Sequence, residues 1–170
     1  DYHAVQAFLS RVYLYMEAYE NAVAAADSVL AADYGVLDYN SLTLTTNSWN
    51  QIEPVSTTYK NSLETIFSQG GNAIEGLLTG NMYQVSEDLL TLFRANSNDL
   101  RQKFCIYETS YYGIIYVPRK LADRKDGMVS SECLIRLPEV ILNKAEALAL
   151  LGRDEEARNT IEELRKKRIA

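Results

Sequence analysis

Residues 2–31 and 137–168 carry one helical-hairpin pattern, displaced by 135 positions: Tyr13 falls on Leu148, Met16 on Leu151, Glu17 on Gly152, Ala22 on Ala157, Ala26 on Ile161 and Val29 on Leu164. In the first copy Ala4, Ala7, Phe8, Arg11, Val12 and Tyr15 recur at helical spacing, uninterrupted by Gly or Pro. A break near Glu17-Ala18 leads to a second stripe of Ala22, Val23, Ala26, Val29 and Leu30. In the second copy Pro138 suits a first helical turn, where its missing N–H costs nothing. Val140, Ile141, Ala145, Leu148 and Leu151 follow as a stripe, and Gly152 is placed to end the helix in the left-handed region. Asp154 is expected as the N-cap of the last helix, which runs through Ala157, Ile161 and Leu164. The small Ala early in each second helix lets two antiparallel helices approach closely. Both turns have the form of a tetratricopeptide repeat. Two such hairpins alone bury too little apolar surface for a free-standing solenoid, which needs roughly three.

The middle is different in kind. Residues 40–62 are rich in Ser, Thr and Asn, with Pro54 and no helical stripe. Residues 62–68 read as a short strand, and Ser86 as the N-cap of a short helix carrying Leu89, Leu90, Leu92 and Phe93. Residues 104–107 and 114–117 read as a hairpin turning near Tyr112-Gly113 and stopped by Pro118. The expected layout is a mainly α fold: a helical hairpin at 1–33, an irregular, partly β segment at 34–135, and a second hairpin at 136–170. A long irregular excursion from a rigid helical scaffold is where binding residues collect.

Charge separates the two ends. Residues 1–39 hold Arg11 against six acids, net -5, whereas 136–170 hold eight basic and seven acidic groups, net +1. Packing of the acidic first segment near the basic last one is the sharper expectation from this asymmetry. Over the whole chain the formal charge is -6, which argues against a nucleic-acid or anionic-membrane binder. No apolar run reaches the ~18 residues of a membrane-spanning helix.

Catalytic chemistry is hard to assemble from this sequence. His3 is the one His and sits at the first turn, so neither a Ser-His-Asp nor a Cys-His system is expected. Cys105 and Cys133 lack C-x-x-C spacing and read as small buried apolar residues rather than a disulfide. The glycines near 70–80 have no Lys-Ser/Thr to hold phosphate. No cofactor and no metal are expected.

Tyrosine carries what signal remains, with 12 Tyr against one Trp and four Phe. Tyr107, Tyr111, Tyr112 and Tyr116 surround the predicted hairpin, and Trp49 lies in the polar stretch before it. Aromatic faces suit the C–H faces of sugar rings, and phenol hydroxyls reach sugar hydroxyls. Trp49, Tyr111, Tyr112 and Tyr116 are therefore the candidate ligand-stacking residues. Strand tyrosines also serve packing, since alternation buries every second one. Tyr2, Tyr13, Tyr15 and Tyr19 are read as helix-packing residues.

Three blocks together resemble a known family. The run from Ile135 to Ala147, with Leu150-Leu151-Gly152-Arg153 and Ile161-Glu162-Glu163-Leu164-Arg165, closely resembles the late helical hairpin of the SusD/RagB family. The run from Ala7 to Met16, then Tyr19-Glu20-Asn21-Ala22 and Ala26 to Leu30, matches that family's opening pattern here. Asn98-Asp99-Leu100-Arg101 is similar to its Asp-x-Arg element and is assigned a structural role. The family is typically about three times longer, with an N-terminal portion and a lipid-anchored Cys, so the chain reads as an internal or truncated portion of it. The resemblance implies a non-catalytic, surface-exposed outer-membrane lipoprotein that captures oligosaccharide or polysaccharide for nutrient uptake. It further implies delivery to a SusC-like, TonB-dependent transporter, and membrane attachment only through a lipid anchor. A tetratricopeptide-type adaptor for protein partners is the alternative, and it would place exposed aromatics on the hairpins.

Overall fold

A computed structural model describes residues 1–46, 52–53, 62–70, 83–109, 115–118 and 131–170. Helices α1 (Tyr2–Tyr15) and α2 (Tyr19–Leu30) open the chain, and α5 (Leu137–Leu150) and α6 (Asp154–Arg165) close it. Between them lie β1 (Thr45–Thr46), β2 (Ile52–Glu53), β3 (Thr65–Gly70), α3 (Glu87–Ala95), α4 (Leu100–Cys105), β4 (Ile106–Thr109), β5 (Ile115–Pro118) and β6 (Ser131–Arg136). The fold is mainly α, as the periodicity predicts. No described helix is long and apolar enough to cross a membrane.

The 135-position relation holds at every boundary of the four outer helices: α1 maps onto α5 and α2 onto α6, end for end. The turns match bond for bond. Glu17 N–H donates to Leu14 O and Ala18 N–H to Tyr13 O, as Gly152 does to Ala149 and Arg153 to Leu148. This is the Schellman closure, which needs a left-handed residue at its corner. Glu17 (φ +60°) and Gly152 (φ +75°) supply it. Asp154, expected as an N-cap, is instead the first helical residue after Arg153. With Glu155 and Glu156 it puts three acids at the positive end of the helix dipole.

Two compact bodies divide the described chain. The first is Asp1–Leu37, Leu63–Ser68 and Cys133–Lys167. Here the hairpins pack on each other although about a hundred residues separate them, α2 lying against α5 and α1 also touching it. The small residues explain the close approach. Ala22 and Val23 meet Ala147, Leu148 and Ala157, while Ala7, Ala26 and Val29 meet Leu137, Val140 and Ile141. The charge asymmetry resolves into ion pairs between hairpins: Arg11–Glu139 at 2.6 Å, Asp27–Lys144 at 2.6 Å and Glu20–Arg153 at 3.6 Å. One buried polar contact crosses from helix to helix, Asn143 Nδ2 donating to Ser10 Oγ at 3.1 Å.

Strands β3 and β6 pair and lead into α5. Residues 62–64, expected in the strand, are used otherwise. Glu64 is fully buried, and its carboxylate accepts from Leu37 N–H (2.8 Å) and from Arg136 (3.2 Å), while its carbonyl accepts from Leu137 N–H. A buried carboxylate is tolerated because each oxygen has a donor. Tyr13 and Tyr19 pack on the hairpin core, as expected, but Tyr2 and Tyr15 are exposed.

The second body is Asp38–Ser62, Gln69–Glu132 and Arg168–Ala170. Its described elements are two small hairpins, β1–β2 and β4–β5, the helices α3 and α4, and a 3-10 turn at Tyr39–Ser41. Ser86 caps α3 as predicted, its hydroxyl accepting from Leu89 N–H. Phe104 and Cys105, read as strand residues, close α4, and the strand begins at Ile106.

Candidate functional site

Of the four candidate stacking residues, Tyr116 is among those described. Trp49, Tyr111 and Tyr112 lie outside the described residues. Their positions along the chain are nonetheless informative, because the strands flanking them are in register. Thr109 pairs with Ile115, so residues 110–114, with Tyr111 and Tyr112, join β4 to β5. Thr46 pairs with Ile52, so residues 47–51, with Trp49 at their centre, join β1 to β2.

Strand β5 positions Tyr116 by alternation. Val117 is fully buried, so its neighbour Tyr116 points to the other face and is half-buried. The Tyr116 carbonyl accepts from Val85 N–H at 2.8 Å, which ties the segment before α3 alongside the strand. The Arg94 guanidinium lies 5.8 Å from the Tyr116 ring centre, and Arg94 also pairs with Glu87 at 3.4 Å. Leu90 and Phe93 anchor α3 in the core and hold Arg94 at that ring. An aromatic ring beside an Arg–Glu pair offers an apolar surface with a donor and an acceptor at its edge. That combination suits a ligand carrying both C–H faces and hydroxyls.

Sequence reasoning missed a neighbouring cluster. Tyr39 is buried, its ring lies 4.0 Å from the Arg168 guanidinium carbon, and it meets Phe104 edge to face. Its hydroxyl lies 3.6 Å from Cys105 Sγ. Asp38, which caps the short turn by accepting from Asn40 N–H, was the readable signal for this element. Cys105 is a free thiol and half-buried, against the expectation of full burial.

Asp99 and Arg101 have the structural role expected of them. The Asp99 carboxylate caps α4 by accepting from Arg101 N–H at 3.0 Å, and it receives the Arg101 Nε at 2.9 Å. Burial pushes the Asp99 carboxyl up, but the Arg101 side chain, backbone N–H and charge more than offset it, leaving the group below the usual carboxylate range. Asp99 also bridges to Ile169, and Leu100 N–H donates to Arg168 O, so the last three residues are stitched to this helix start. Among the described residues no group of three or more His, Cys, Asp or Glu is placed to hold a metal ion.

No family model and no curated protein matches the sequence. Solved structures do. A SusD superfamily protein from Bacteroides thetaiotaomicron VPI-5482 is 27% identical, with a TM-score of 0.71 over 100% of this chain and 42% of its own. A SusD superfamily protein from Bacteroides vulgatus ATCC 8482 is 23% identical, with a TM-score of 0.72 over 97% of this chain and 40% of its own. A SusD-like carbohydrate binding protein from the same strain is 23% identical, with a TM-score of 0.72 over 100% of this chain and 37% of its own. The chain spans about two fifths of the length of these relatives. The paired hairpins, the excursion between them and the match along the whole chain lead to one conclusion: this chain is SusD-like in fold.

Proposed function

We propose that this chain contributes to non-catalytic glycan binding in polysaccharide utilisation, with the second body carrying the sugar-contacting aromatics. The observation that carries this reading is the SusD-like fold at 27% identity along the whole chain. Trp49, Tyr111 and Tyr112, from the two hairpin connections, and Tyr116, beside Arg94, stack on sugar rings. Glu87 and Arg94 exchange hydrogen bonds with hydroxyls at the edge. The whole protein sits on the outer-membrane surface as a lipoprotein and hands ligand to a TonB-dependent, SusC-like transporter. The glycan leaves chemically unaltered.

Calorimetry of the full-length protein against a panel of oligosaccharides tests this. A glycan that binds is expected, and Trp49→Ala and Tyr111→Ala are each expected to weaken it by about 1–3 kcal/mol, the range for a lost aromatic anchor. Chromatography of the recovered glycan is expected to show no products. Full affinity in Trp49→Ala, Tyr111→Ala, Tyr112→Ala and Tyr116→Ala alike removes the site assignment, and cleavage of the ligand removes the non-catalytic reading. Co-purification of a TonB-dependent porin from outer membranes tests the transporter step.

A protein-binding adaptor is the second reading, favoured by the exposed Tyr2, Phe8 and Tyr15 on α1. Absence of glycan binding throughout the panel, with saturable binding of a helical peptide, would select it.

A further inference from the structure

The ladder between β4 and β5 fixes which side chain stands beside Tyr116. Glu108 of β4 is the cross-strand partner of Tyr116, and the side chains of such a pair leave the sheet on one face. Their Cβ atoms lie roughly 5 Å apart. Buried Val117 takes the opposite face. Glu108 is exposed, and no cation among the described residues pairs with its carboxylate. Arg94 reaches the Tyr116 ring from α3 and is already engaged by Glu87. Arg101, against the ring of Phe93 next to Arg94, is held by both carboxylate oxygens of Asp99. With Arg101 neutralised in this way, the described charges at the Tyr116 ring are Arg94 against Glu87 and Glu108, a net of -1. The whole chain, at -6, leans the same way.

That balance decides which sugars the ring accepts. We infer, resting on the glycan-binding reading above, that the Tyr116 face takes neutral sugar rings and turns away uronates and sulfated sugars, and that Glu108 makes this selection. A neutral pyranose laid against Tyr116 brings hydroxyl donors to the edge of the ring. An ionised carboxylate has acceptor capacity for several of them, and hydrogen bonds to a charged acceptor are the stronger kind. A sugar carboxylate or sulfate in the same place offers Glu108 no donor and meets it as a like charge. Its one available partner among the described groups is Arg94, and taking Arg94 releases Glu87. Two protein carboxylates would then stand unpaired beside the bound anion. Neutral hydroxyls create no such conflict, because the Arg94–Glu87 pair stays closed while Glu108 accepts from the sugar.

Calorimetry of the full-length protein with matched ligands reads the selection. The probes are malto-, laminari-, galacto- and manno-oligosaccharides, each beside a counterpart whose primary hydroxyls are oxidised to carboxylates. At least one neutral probe is expected to bind, and its oxidised counterpart to bind about tenfold more weakly or worse. The gap is expected to narrow as salt is raised. Glu108→Gln keeps an acceptor and removes the charge. It is expected to leave the neutral affinity within about threefold and to bring the oxidised probe severalfold closer to it. Glu108→Ala is expected to weaken the neutral probe severalfold. Glu108 is exposed, so neither substitution removes a packed side chain. Equal binding of the two members of a pair, or preference for the oxidised one, overturns the inference and leaves glycan binding standing. So does an unchanged ratio in Glu108→Gln. Absence of binding to every probe, neutral and oxidised, overturns the glycan-binding reading and the inference with it.

Discussion

Glu17 holds φ +60°, the left-handed value that Gly152 holds at +75° in the equivalent turn. A residue with a Cβ costs roughly 1 kcal/mol there, and glycine does not. Glu17→Gly is therefore expected to raise stability by about 0.5–1 kcal/mol, after allowance for glycine's larger unfolded-state entropy. Gly152→Ala is expected to cost about 1 kcal/mol through backbone conformation alone, since a Cβ there meets nothing within 4 Å. Urea melts of the two variants check the pair of opposite signs. Asp99 gives a pH-dependent counterpart. Its carboxyl is held below the usual range in the folded chain, so the unfolded chain binds the proton more readily. The stabilisation is present in full above about pH 4–5 and fades as the pH falls through the folded value. Asp99→Ala is expected to cost about 1–2 kcal/mol at neutral pH, the cost of a lost cap, and progressively less in acid. Melts at pH 7 and pH 3 measure the difference, and an equal loss at both would contradict it.

At the scale of elements, the α2–α5 contact depends on buried side chains no larger than Ala and Val on its α2 side. Ala26 is fully buried there, so Ala26→Leu forces the helices apart and is expected to cost about 1–3 kcal/mol by thermal melt. The outer helices were legible because helical spacing, Pro138 and Gly152 state local preferences that tertiary packing did not override. Their pairing was legible in the opposite charge bias of the two ends, which the Asp27–Lys144 and Glu20–Arg153 pairs realise. Other elements were not. Phe104 and Cys105 look like strand residues, yet the Asp99 cap starts a helix that runs through them. Glu64 looks like a polar strand position, yet its role depends on Arg136, 72 positions away. Tyr39 has no spacing partner at all, and its burial comes from Phe104 and Arg168. For the candidate site, sequence placed Tyr116 on a strand beside a turn. It did not reveal Arg94 at its ring, because that contact joins separate elements.

For the molecule as a whole, the order of segments matters as much as their structure. Each body is assembled from three stretches that alternate along the chain with those of the other. A break in one peptide bond anywhere from Asp38 to Glu132 therefore yields two fragments, and both bodies contain portions of each. In the first body the N-terminal fragment keeps α1 and α2 while the C-terminal one keeps α5 and α6, joined by the Arg11–Glu139 and Asp27–Lys144 pairs and the alanine seam. Limited proteolysis is expected to give a protein that migrates as intact under native electrophoresis and falls into two bands in detergent. A clipped molecule of this kind stays assembled, because severing the backbone does not release either half.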